Sequence, residues 1–61
     1  MTAIAKFRKA AGMTQQDLAD RLNVTQGAVC QWENGNAEPR LSVVRAMAKL
    51  FGCSVDDLLD G

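Results

Sequence analysis

Apolar residues recur along this chain at intervals of three and four, the repeat that gathers them on one face of a helix, and nowhere alternate as a half-buried strand requires. In the first stretch Ile4, Phe7 and Ala11 share a face, with Thr2 placed to cap the helix and Gly12 to end it. Thr14 opens a second helix, with Asp17 three residues later as an acidic form of the capping box. Leu18, Ala19 and Leu22 form its inner face. Asn23 follows, one of the few non-glycine residues that enter the left-handed region at small cost. Thr25 caps a third helix that runs to about Asn34 and closes at Gly35, with Val29 and Trp32 as its inward pair. After a polar loop and Pro39, a fourth helix from about Leu41 to Phe51 turns Leu41, Val44, Met47, Ala48 and Phe51 to one side, and Gly52 closes it. Ser54 with Asp57 opens a short fifth helix carrying Val55, Leu58 and Leu59. The pattern predicts an all-α fold, a compact bundle of five short helices over residues 1–61 as a single domain.

Only Asn23, Val24 and the cap Thr25 separate the second helix from the third. So short a link favours the steep crossing of a helix-turn-helix over a long antiparallel overlap. Leu18 and Leu22 then point inward, Ala19 is small where the helices nearly touch, and Val24 plugs the turn. Asn23 stands where this motif usually has glycine. With Val29 and Trp32 pinned inward, Gln26, Gly27, Cys30, Gln31 and Asn34 occupy the opposite face. A merely solvated face would favour Glu and Lys four residues apart; this one is neutral and rich in amides.

In a helix-turn-helix that face enters the DNA major groove. A glutamine amide suits the position, because it can donate to N7 and accept from N6 of adenine in one bidentate pair. Gly27 and Cys30 are small enough for close approach, and Cys30 can touch a thymine methyl. The N–H groups at the start of the second helix, near Gln15 and Gln16, and those around Thr25 suit phosphate oxygens.

Composition narrows the alternatives. A chain of 61 residues with 48% hydrophobic and 23% charged residues is globular in composition, and short enough that its core must be packed efficiently. No apolar run is long enough to span a bilayer and no cleavable leader is visible, so the expected location is cytoplasmic. Cys30 and Cys53 form no CxxC and there is no histidine, so no metal site, disulfide framework, cofactor or small-molecule ligand is implied. Net charge is zero, but its distribution is uneven: residues 1–49 hold all seven basic side chains against four acids, and residues 50–61 hold three acids and no base. That asymmetry can orient the chain near a polyanion.

The stretch MTQQDLADRLNVTQGAVCQWENG, followed by EP, a fourth helix and CSVDDLLDG, resembles the phage-repressor family of DNA-binding domains, lambda repressor and Cro-like, also called Xre. The similarity runs from about Ile4 to Gly61, and repressors of this family are the standard examples of the motif. The resemblance implies a sequence-specific regulator of transcription, most often a repressor, bound to double-stranded DNA as a two-fold and weakly associating homodimer. It implies that Gln26, Gly27 and Gln31 fall on base-reading positions, and that Gln15 braces Gln26 and holds phosphate. Asn34 and the loop from Asn36 to Arg40 fall where the family meets the sugar–phosphate backbone. Arg8 and Glu33 fall where similar repressors carry a partly buried ion pair. Gly27 departs from relatives that place a polar side chain there, leaving one base contact fewer or a closer backbone approach. The loop is also poorer in Lys and Arg than in many relatives, and Arg45 stands where many have an apolar residue.

Two other classes compete. In a protein-interaction module of the same fold, such as an antitoxin, Val55, Leu58 and Leu59 opposite Asp56 and Asp60 would form the contact surface. An enzyme is disfavoured, since the chain has no histidine, no nucleophile beside a base and no glycine-rich phosphate loop. Val29, Trp32 and Met47 read as core. Cys53 reads as partly buried and Cys30 as a small exposed residue without the basic neighbours that favour a thiolate.

Overall fold

Each of the five helices sends a large side chain to complete burial in a common core: Ile4, Leu18, Val29, Met47 and Leu58. The computed structural model describes residues 3–59. The helices are α1 (Ala3–Ala10), α2 (Gln15–Leu22), α3 (Gln26–Glu33), α4 (Leu41–Phe51) and α5 (Val55–Leu59). α2 packs chiefly on α3 and also on α4, α1 lies against α3 and α5, and α4 pairs with α5. The Phe7 ring in α1 stacks on the Phe51 ring at the end of α4, with centroids 6.1 Å apart. Ala19, Trp32, Val44 and Ala48 extend the core, and Leu22 and Val24 pack partly buried against it. Among the described residues no strand occurs, and no helix is long and apolar enough to cross a membrane.

Local chemistry explains where the helices start and stop. Thr14 Oγ1 accepts from the Asp17 N–H at 3.0 Å, and an Asp17 carboxylate oxygen accepts from the Thr14 N–H at 2.9 Å. This reciprocal pair satisfies two donors that a helix start leaves without intrahelical partners. The Thr14 backbone N–H, followed by its hydroxyl, holds the Asp17 carboxyl below the usual range. Ser54 and Asp57 repeat the arrangement at α5, at 3.0 and 3.1 Å. Thr25 Oγ1 accepts from the Ala28 N–H at 3.1 Å and so starts α3. Asn23 closes α2 in the left-handed region, φ 59° and ψ 43°, its N–H turned back to the carbonyls of Ala19 and Asp20. The expected cap at Thr2 and the acid at Asp60 lie outside the described residues.

Three side chains depart from the helical pattern. Ala11 is exposed, because α1 ends at Ala10 and Ala11 already belongs to the turn. Leu41, expected on the inner face of α4, is 56% exposed: as the first helical residue it sits at the open end, a turn before Val44 enters the core. Asn34 is the cap residue after α3 rather than its last turn. At α5 the apolar residues divide. Leu58 is fully buried while Leu59 is 57% exposed, so a surface using both leucines for an outside partner does not exist in this fold.

Candidate functional site

Burial of Val29 and Trp32 fixes the rotation of α3 about its axis and thereby decides which residues face out. Gln26, Gly27 and Gln31 are exposed along one ridge, and Asn34 continues it beyond the helix end. Cys30 is half-buried rather than exposed, and its sulfur lies 3.5 Å from the Asn34 side-chain nitrogen. The ridge carries no charge. Gly27 needs no special backbone there: a Cβ at this position would meet only Thr25 Oγ1, at 3.9 Å, an ordinary contact. The fold therefore does not require glycine at position 27, and its smallness is available to whatever approaches the ridge.

The flanks of the ridge are tied down. The Gln31 carbonyl accepts from the backbone N–H groups of Asn36, at 3.0 Å, and Ala37, at 3.3 Å, so the loop after α3 folds back onto the helix end. Asn36 and Arg40 are exposed on that loop and on the approach to α4. On the other flank Gln15 is half-buried and Gln16 is exposed, at the start of α2. The Gln16 amide donates to Asp20 at 2.8 Å, which leaves one of its two N–H groups for anything outside. Its spacing of four residues from Asp20 is a signal legible in sequence. The Thr25 oxygen serves as the cap acceptor and still has its own proton to donate.

Beneath the ridge lies a charged anchor. Arg8 Nε and Nη2 hold the two Glu33 carboxylate oxygens at 2.7 and 3.1 Å, and Arg8 Nη1 donates to the Met13 carbonyl at 2.9 Å. The Met13 N–H in turn donates to the Arg8 carbonyl at 3.1 Å, so one residue secures both the end of α1 and the lead into α2. The two side chains are 11% and 8% exposed. Burial pushes the Glu33 carboxyl up, but hydrogen bonds from Arg8 and Gln15 and the Arg8 charge outweigh it and hold the carboxyl below the usual range. The hydrogen bond to Glu33 raises Arg8 still further above neutrality.

Gln15 joins the anchor to the ridge. Its amide nitrogen donates to Glu33 Oε1 at 3.1 Å, and its oxygen accepts from the Gln26 amide nitrogen at 3.5 Å. The Gln15–Glu33 contact spans 18 positions in sequence and had no sequence signal, because it exists only once α2 crosses the end of α3. Cys53, at the α4–α5 junction, is half-buried, and burial followed by the nearby Asp57 charge pushes its thiol up, away from thiolate chemistry. Among the described residues no group of three or more His, Cys, Asp or Glu could hold a metal ion.

Residues 4–58 match the model of the helix-turn-helix family. Similar curated proteins include the HTH-type transcriptional activator BcrR of Enterococcus faecalis, 31% identical over 58 residues that make up 95% of this chain and 28% of that protein. An HTH-type transcriptional regulator of Archaeoglobus fulgidus is 33% identical over 57 residues, 93% of this chain and 81% of that one. The competence pilus inhibition repressor of Acinetobacter baylyi is 36% identical over 56 residues, 92% of this chain and 51% of the repressor. The chain thus spans between about a quarter and four fifths of the length of these relatives. No solved structure matches the chain significantly.

Proposed function

The chain belongs to the helix-turn-helix family, and from that premise we propose that it is a sequence-specific, DNA-binding regulator of transcription that reads the major groove with α3. The observation that carries this reading is the ridge of α3, where Gln26, Gly27 and Gln31 stand exposed and uncharged over a helix held by Val29, Trp32 and Glu33. Exposed amides on an anchored helix can read hydrogen-bonding patterns on base edges, which long-range charge cannot do.

In this reading Gln26 and Gln31 bind base edges, Gly27 admits the duplex closely, and Cys30, half-covered, lends apolar contact at the margin. Gln15, Gln16, Thr25, Asn34, Asn36 and Arg40 meet the sugar–phosphate backbone and set the register of the helix in the groove. The protein binds in the cytoplasm as a weak homodimer, assembled on a near-palindrome with half-sites about 34 Å apart. Occupying the site is enough to block it, so repression is the activity assigned; among similar proteins one is named an activator and another a repressor. Replacing Gln26 or Gln31 by alanine tests the reading. Each change is expected to cost about 1–3 kcal/mol on the preferred duplex and to relax preference at its own base pair. Binding that survives both substitutions unchanged overturns it.

A further inference from the structure

The hydrogen bonds beneath α3 form one directed chain from Arg8 through Glu33 and Gln15 to Gln26. Its direction follows from chemistry. A carboxylate only accepts, so a glutamine amide that meets Glu33 must turn its nitrogen toward it. With that nitrogen 3.1 Å from Glu33 Oε1, the Gln15 oxygen faces the other way, toward Gln26. An oxygen there can only accept, so Gln26 must present its own nitrogen, at 3.5 Å. Gln26 is left with its oxygen and one N–H for an outside partner, in an order that the chain has already decided. A free glutamine amide lacks this bias, since its terminal torsion is broad and roughly two-fold.

We propose that Glu33 is a specificity-determining positioning residue: its carboxylate, clamped by Arg8, orients the Gln15 amide and through it fixes the order in which Gln26 offers acceptor and donor to a base pair. The inference rests on the reading of α3 as the groove-facing helix. Adenine presents an acceptor beside a donor in the major groove and guanine presents two acceptors, so the order of groups on Gln26 bears directly on which base it prefers and from which strand. Arg8 contributes by filling the remaining carboxylate sites and keeping Glu33 ionised and still. Neither Arg8 nor Glu33 needs to touch DNA for this.

The test measures preference rather than affinity. Duplexes selected from a random pool by the wild-type chain and by Gln26→Ala identify the base pair that Gln26 reads. Affinities for all four base pairs at that position are then measured for the wild type, Glu33→Gln, Gln15→Ala and the double variant Glu33→Gln/Gln26→Ala. A side-chain amide at position 33 can donate as well as accept, so Glu33→Gln removes the direction of the chain at almost constant shape. The expected result is a loss of at least about fivefold in preference at the Gln26 base pair, the lower end of what one bidentate contact supplies. Preference at the Gln31 base pair is expected to stay within about twofold, since that contact does not depend on the chain. Gln15→Ala, which leaves the ion pair intact, is expected to lose the same preference, and it carries the test if Glu33→Gln fails to fold. The double variant is expected to match Gln26→Ala alone. If Glu33→Gln and Gln15→Ala weaken all four duplexes equally, or leave the preference as it was, the role of Glu33 is structural only and the proposal falls. If Gln26→Ala itself changes no preference, the groove-facing assignment of α3 falls first and takes this inference with it.

Discussion

Arg8 in α1 grips Glu33 in α3 through two nitrogens and the Met13 carbonyl through a third. One guanidinium thus fastens three segments of chain at the point where the outward ridge is anchored. Breaking one side of a nearly buried pair leaves a charge without its partner, whereas replacing both with apolar groups often costs little. Glu33→Ala or Arg8→Ala is therefore expected to cost about 3 kcal/mol, a large share of the stability of so small a domain. Arg8→Met combined with Glu33→Leu is expected to recover most of that loss. Midpoints of urea denaturation for the three variants check this.

The same pair predicts a dependence on pH. The Glu33 carboxyl titrates lower in the folded chain than in the unfolded one, so the folded state binds fewer protons wherever the two differ. Its contribution is complete above the ordinary carboxylate value of about 4.3 and drains away as pH falls through the depressed folded value. Melting temperature followed downward from pH 6 should drop more steeply for the wild type than for Glu33→Gln. Equal slopes would mean that the pair adds no pH-dependent stability. Asp17 is also held low, but by Thr14 rather than by Glu33, and so is expected to contribute alike in both proteins.

Gly27 separates stability from binding. A Cβ there meets only Thr25 Oγ1, at 3.9 Å, and alanine holds helical backbone better than glycine by about 0.5–1 kcal/mol. Gly27→Ala is expected to raise the melting temperature while weakening binding to the preferred duplex, because the new methyl group projects from the groove-facing ridge. A variant that gains stability and binds as tightly as the wild type would show that no close approach occurs at this position.

Asn23 holds the turn between α2 and α3 at φ 59°. Asn23→Gly is expected to be neutral or slightly stabilising. Asn23→Val, with a branched Cβ in the left-handed region, is expected to cost about 1–2 kcal/mol or more. Thermal melts of the two variants distinguish this account from one in which the turn tolerates any residue.

The parts of the fold legible in sequence were those decided within a few residues. The Thr14–Asp17 and Ser54–Asp57 caps, the left-handed Asn23 and the inward pair Val29 and Trp32 depend on local spacing, and the helices follow from them. Leu41 misled because periodicity ranks faces but does not say how far along a helix the neighbouring elements reach. Leu58 and Leu59 are adjacent in sequence, yet one is wholly buried and the other mostly open. In the candidate site, the outward residues of α3 followed from geometry once its inner pair was known. The hydrogen bonds from Gln15 to Glu33 and from Arg8 to the Met13 carbonyl did not, since each depends on how separate segments cross.

Selection of duplexes from a random pool by the wild-type chain, Gln26→Ala and Gln31→Ala, with affinities measured at two salt concentrations, tests the central claim most directly. The account predicts a near-palindrome with half-sites about one helical turn apart, and binding that weakens with salt in proportion to the phosphates contacted. Each variant should lose preference at a different base pair, at a cost of about 1–3 kcal/mol. A pool with no enriched sequence, or preferences that both variants leave intact, would contradict the assignment of α3 as the helix that reads DNA.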